Sequence, residues 1–162
     1  MLSKILSKSD CASCKFCCSF RRQSLWETPL FSKELAATLK KEFPHADFIP
    51  RGKDSFTINL LPLYKTNDSE EEVPCPFLDT TQGCILPKDK KPFDCSIWPL
   101  RAVKTSEGKI KVKLTPTCPA INRLPLEAVK DFVEQGLVEK IIGEAEANPD
   151  MVKNDSDFFV EL

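Results

Sequence analysis

Four cysteines fall within eight residues, at Cys11, Cys14, Cys17 and Cys18, in a C-x-x-C-x-x-C-C run, and four more follow at Cys75, Cys84, Cys95 and Cys118. A buried structural cysteine behaves as a small hydrophobe and needs no fixed spacing. A soft metal ion does need one. C-x-x-C lets one tight turn aim two sulfurs at one point, and thiolates select zinc or iron–sulfur clusters. Cys11, Cys14 and Cys17 match the C-x2-C-x2-C part of the bacterial ferredoxin ligand run, whose fourth cysteine precedes a proline. The Cys-Pro pairs here, Cys75-Pro76 and Cys118-Pro119, lie far along the chain. The same spacing serves a zinc knuckle, so zinc stays open beside iron–sulfur. Neighbouring side chains tend to diverge, so adjacent Cys17 and Cys18 are not expected to serve one ion as terminal ligands: one of them faces a second centre, bridges two ions or stays free. One division gives Cys11, Cys14, Cys17 and Cys118 to one centre and Cys18, Cys75, Cys84 and Cys95 to a second. A single centre with spare cysteines is the alternative.

Composition narrows the function classes. The chain has 162 residues, 41% of them hydrophobic, which suits one modest core. Charge is balanced, 23 basic against 24 acidic residues, which argues against a nucleic-acid protein working through bulk electrostatics. Only 5 glycines are present, and neither G-x-G-x-x-G nor G-x-x-x-x-G-K occurs, so the usual nucleotide cradles are missing. The N-terminal residues lack a signal-peptide apolar run, and no stretch approaches the ~20 apolar residues of a membrane span. The expected location is the cytoplasm, where thiols stay reduced and where tight C-x-x-C spacings favour metal over disulfide.

The elements that must position the thiols read as follows. Residues 1–10 form a polar lead-in, 11–147 a single cysteine-cluster domain and 148–162 an acidic tail. Lys15, Arg21 and Arg22 surround the first motif, either as a solvated face or as cations offsetting thiolate charge. Thr28-Pro29 predicts a helix start, and Leu30, Phe31, Leu35, Leu39 and Phe43 a helical stripe ending at Pro44. His45, the single histidine, reads as a surface residue rather than a ligand. Ser55 to Tyr64 is strand-like up to Pro62, and Thr66 to Glu72 an exposed acidic loop. Residues 73–100 are rich in prolines and turns. Residues 101–103 and 109–114 predict a hairpin whose second strand points Ile110, Val112 and Leu114 inward and three lysines to water. From Pro125 to about Ala147 runs an amphipathic helix that Gly136 kinks or divides. The expected fold class is α+β: a small, irregular, metal-pinned domain with two or three helices and a short antiparallel sheet.

The order of motifs resembles a known family. Cys11-x-x-Cys14-x-x-Cys17-Cys18, then Cys75-Pro76-Phe77-Leu78, Gly83-Cys84-Ile85, Lys91-Pro92-x-x-Cys95, Pro99 and Cys118 are similar to the YkgJ-type cysteine-cluster proteins, over roughly residues 11–120. That family is described as a zinc- or iron-chelating domain, and the resemblance implies that the cysteines are the ligands. A related cysteine-rich region occurs in flagellin lysine methylases, associated with an iron–sulfur cluster, which tilts the expectation towards iron–sulfur. The chain departs from the family at Lys15, where members often carry Gly. It also departs at Ile85-Leu86, Lys91-Pro92 and Cys95-Ser96, where Ile-Tyr, Arg-Pro and Cys-Arg are common. No departure removes a cysteine.

Three functions are compatible with these residues. The first is a metal-cluster protein with a redox or cofactor-bearing role. The second is a structural zinc module presenting a binding surface, with balanced charge favouring a protein partner over nucleic acid. The third is an enzyme modifying protein side chains, by analogy with the methylases. For the third, Asp79, Asp94 and Arg101 lie near cysteines, but such residues more often orient ligands than react.

Overall fold

The computed structural model describes residues 13–162, so Cys11 and the lead-in lie outside the described residues. The chain gathers into two compact units, which hold residues 13–95 and 96–162 respectively. Both mix short helices with small sheets, and the fold is α+β. Among the described residues, no helix is long and apolar enough to cross a membrane.

The first unit opens with a 3-10 turn at Phe16–Cys18 and strand β1 (Ser19–Phe20). After a second 3-10 segment at Arg22–Glu27 come β2 (Leu30–Ser32) and α1 (Lys33–Glu42). The helix therefore starts four residues later than Thr28-Pro29 predicts. Leu30 and Phe31 instead pair with Thr57 and Phe56 of β4 (Ser55–Ile58), while β3 (Phe48–Arg51) closes the other side of β4. Thr28 is drawn into that sheet's support: its hydroxyl donates to Leu25 O and accepts from Arg51 and Thr57. Ser32 caps the helix in its place, its hydroxyl accepting from Leu35 N at 3.2 Å. The helix ends at Phe43, as the following proline dictates. Of the strand-like stretch 55–64, only Ser55–Ile58 pairs; Leu61–Leu63 is a 3-10 turn around Pro62. The core is aromatic. Phe77 meets Phe43 edge-on at 5.3 Å, and Phe31 meets Phe48 in the same way at 5.1 Å.

The rest of this unit is built from two-residue strands: β5 (Val73–Pro74), β6 (Leu78–Asp79) and β7 (Gly83–Cys84), followed by α2 (Phe93–Ile97). Gly83, at φ 78°, makes the left-handed turn that lets β7 fold back on β6.

The second unit holds the expected hairpin, β8 (Leu100–Lys104) with β9 (Ile110–Leu114). The predicted late helix is two helices, α3 (Leu126–Glu134) and α4 (Leu137–Ala147). Gly136, at φ 91°, breaks the chain between them. Val129, Val133 and Ile141 are buried, as the amphipathic stripe predicts. The C-terminal segment supplies β10 (Lys153–Asn154), parallel to β8, and β11 (Val160–Glu161), antiparallel to β9. It thus pairs with both edges of the hairpin. This overturns the reading of all three strand lysines as wet. Lys113 has a side chain only 7% exposed, with its Nζ 2.7 Å from Asp155 and 2.6 Å from Glu161.

Candidate metal centre

Two backbone links bring the cysteine motifs of the first unit together. Lys15 takes a left-handed conformation (φ 56°), and Cys18 N donates to Lys15 O at 2.9 Å, closing the turn that carries Cys17 and Cys18. Cys75 N then donates to Cys18 O at 2.7 Å, continuing the pairing of β1 with β5. The first motif is therefore bonded directly to the second. Past Cys75, a tight turn closed by Leu78 N on Cys75 O leads into the β6–β7 hairpin, which sets Cys84 opposite Leu78. Cys75 and Cys84 pack against the edge of the aromatic core, partly buried. Cys95 sits on α2, beside Asp94, whose buried carboxylate accepts from Leu30 N at 3.1 Å and so ties that helix to β2.

Five thiols converge as a result: Cys17, Cys18, Cys75, Cys84 and Cys95. None is in a disulfide. The sulfurs of Cys17 and Cys18 are 3.8 Å apart, so the neighbouring side chains converge in this 3-10 turn rather than diverge. Contact with Cys18, then burial, holds the Cys17 thiol far above its ordinary range. Burial, reinforced by Cys84 and Cys17, pushes Cys75 up to about 12. Burial comes first for Cys95 too, with Cys75, Asp94 and Cys17 adding to it, while Lys91 opposes. These three thiols, Cys17, Cys75 and Cys95, resist ionising because burial leaves little water around a thiolate and neighbouring thiols would add like charge. A cation in their midst reverses that balance.

Cys17 stands in electrostatic contact with Cys75 and Cys95, whereas the division drawn from spacing sets it apart from them. Cys14 is exposed at the mouth of the turn, Cys11 lies outside the described residues, and Cys118 is buried in the unit of residues 96–162. Exposed His45 has its Nε2 3.1 Å from Pro76 O.

The cations around the motif are arranged otherwise than spacing suggests. Arg21 pairs with Glu70 at 2.7 Å and with Glu72 at 3.1 Å. Arg22 lies over the Tyr64 ring, 4.2 Å from its centroid, and hydrogen-bonds the carbonyls of Thr66 and Asp68. These arginines clasp the acidic loop rather than offset thiolate charge. Lys91 is the cation that faces Cys17 and Cys95, a role missed in the sequence although it lies four residues before Cys95. Asp79 is a turn residue: one oxygen accepts from Thr81 N, Thr81 Oγ1 and Gln82 N. Arg101 lies over the Trp98 ring at 4.3 Å.

Among the described residues, no three Cys, His, Asp or Glu side chains already stand in the arrangement a bound ion requires. The donor chemistry nevertheless fits a soft metal, since the set is made of sulfur alone. Two sulfurs on one tetrahedral ion, each about 2.3 Å from it, stand about 3.8 Å apart. That is the Cys17–Cys18 separation. Comparison of the chain with family models, with curated proteins and with solved structures gives no match.

Proposed function

We propose that this chain is a thiolate-ligated metal protein whose centre is held by Cys17, Cys18, Cys75, Cys84 and Cys95 or a subset of them, with an iron–sulfur cluster as the first reading. The observation that carries it is the convergence of five uncrosslinked thiols from three separate stretches, two of them, Cys75 and Cys84, packed against the core. Packing alone does not require sulfur at all five places, and a cluster accepts four thiolates. The resemblance of the motif order to the YkgJ-type family, and Cys11 and Cys14 upstream, support the same reading. When bound, the group would supply one-electron chemistry. The chain's own residues would hold it, exclude bulk water with the aromatic core, and place Lys91 against its negative charge.

Zinc is a second reading, favoured by the 3.8 Å separation of Cys17 and Cys18. In a four-iron cluster each iron takes one thiolate, so two ligands stand farther apart than on a single ion. The pair therefore fits a mononuclear site, or one iron of a two-iron cluster.

Anaerobic purification followed by iron, zinc and acid-labile sulfide analysis decides between the two. Equal iron and sulfide in a brown protein is the expected result. Zinc without sulfide replaces it with the second reading, and a protein free of both metals rejects the centre altogether. Cys75→Ser or Cys95→Ser should abolish stoichiometric metal.

A further inference from the structure

Pro74 and Pro76 flank Cys75, so the Cys75 N–H is the only backbone donor of those three residues. It reaches Cys18 O at 2.7 Å, and a slip of one residue would set a proline opposite that carbonyl. The same register runs on past the other end of the β1–β5 ladder. Ser19 lies opposite Pro74, and Phe20 opposite Val73. One step further Arg21 Nε donates to Glu72 at 3.1 Å, and one step beyond that Arg22 meets Glu71 at 3.5 Å. The two segments thus form one antiparallel ribbon, with thiols at one end, ion pairs at the other and buried Phe20 and Val73 between them.

A two-stranded ladder of this length is too short to hold by itself. Its charged end is the reinforced one. Arg21 also pairs with Glu70 at 2.7 Å, and Arg22 bonds the carbonyls of Thr66 and Asp68. Arg22 covers the ring of Tyr64, whose hydroxyl donates to Phe20 O at 2.7 Å and so ties the ion pairs to β1 itself. A single exposed ion pair contributes little, but these act together on one pair of backbones. We infer that Arg21 and Arg22 are positioning residues for the thiol set: paired with Glu72 and Glu71, they keep β1 against β5 in the absence of metal, so that Cys18 and Cys75 stay within reach of one centre. A ligand pair already brought together spares the metal the entropy of joining two distant stretches, and the ion pairs thereby strengthen metal binding without touching the metal. This rests on the reading of the thiols as a metal centre, and it adds the residues that preorganise it.

The test compares full-length variants, stripped of metal and kept reduced and anaerobic, by two readouts. One is titration with cobalt(II), whose thiolate complexes absorb visible light. The other is hydrogen exchange in the metal-free chain at Phe20 and Val73, which the alternation of an antiparallel ladder makes the next hydrogen-bonded pair after Cys18 and Cys75. Arg21→Glu, which turns two attractions into repulsions, should weaken cobalt affinity roughly fivefold and speed exchange at both amides. Adding Glu72→Arg should recover most of both effects, which a mere loss of packing at position 21 would not allow. The effect of Arg21→Glu should also shrink as salt is raised. Lys40→Glu, which reverses a comparably exposed pair with Asp47 on α1, should change neither readout. Circular dichroism confirms that each variant folds. Unchanged affinity or exchange in Arg21→Glu, or a loss that Glu72→Arg does not recover, overturns the proposal, and so does an equal loss in Lys40→Glu. Failure of the unaltered chain to bind cobalt sinks the metal reading instead. The two amides then judge the ribbon alone: exchange that follows the charge swap upholds the role of Arg21, and exchange indifferent to it overturns that role.

Discussion

Lys15 carries a backbone cost that its position makes easy to test. A side chain in the left-handed region brings Cβ against the next carbonyl, at a cost of roughly 1–2 kcal/mol, and glycine escapes it. Lys15, at φ 56°, is the one non-glycine residue in that region among the described residues, and it closes the turn beneath Cys17 and Cys18. Lys15→Gly is therefore expected to raise stability by about 1 kcal/mol, less what the freer unfolded chain takes back, read from urea denaturation of the metal-free protein. Asp94 shows the opposite case, a side chain that relieves a cost elsewhere. Its carboxylate accepts the buried Leu30 N–H, and Arg51 lies close enough to feel its charge. Asp94→Ala leaves that N–H without its acceptor and should cost about 1–3 kcal/mol. It should also loosen α2 and with it Cys95. Asp94→Asn, which keeps an acceptor oxygen, should recover most of the loss in the same denaturation experiment.

The acidic loop shows how much of an element's role can be read in advance. Its composition gave an exposed loop, and it is exposed, but it is also built around one carboxylate. Glu71 accepts from Lys65 N, Thr66 N and Thr66 Oγ1 and pairs with Arg22, and Tyr64 donates to Phe20 O of β1. Led by the Lys65 N–H, these contacts lower the Glu71 carboxyl from its ordinary 4.5 to about 2. The folded state thus holds fewer protons than the unfolded state between those values. The loop's contribution to stability is present above about pH 4.5 and is lost as pH falls towards 2. Glu71→Gln should flatten the acid limb of the thermal midpoint against pH over that interval, and an unchanged limb would reject the assignment. Periodic stretches such as Ile110–Leu114 and the helix stripe around Val129 were legible because local pattern and final burial agree. The fate of Leu30 and Phe31 was not, because they satisfy a helical stripe as well as a strand, and β4, distant in sequence, decides. Nor could spacing foretell that Arg21 and Arg22 belong to the acidic loop, since that pairing spans about fifty residues.

At the scale of the whole molecule, the two units differ in what holds them together. Residues 96–162 have a hairpin bound on both edges by the C-terminal segment, and two helices whose apolar faces are buried; one cysteine, Cys118, is among them. In the first unit the stretch from Val73 to Cys95 has two-residue strands, turns and the first residues of α2, and it carries three of the five converging thiols. Eight cysteines were visible as a ligand set in the sequence. Which of them share a surface was not, because that depends on the pairing of β1 with β5, which the bond from Cys75 N to Cys18 O continues, and on Asp94 reaching Leu30. If thiolate ligation supplies folding energy to this stretch, removing the metal must act unevenly along the chain. Hydrogen exchange of the metal-loaded protein, before and after stripping with chelator under reducing conditions, should show protection lost at Phe16–Cys18, Cys75 and Gly83–Cys84. The amides of β8, β9 and α4 should hold. Uniform loss across both units would mean that the metal's contribution is not confined to the first unit. Unchanged protection at the Cys75 amide would mean that the aromatic core suffices and that the thiols are there for chemistry alone.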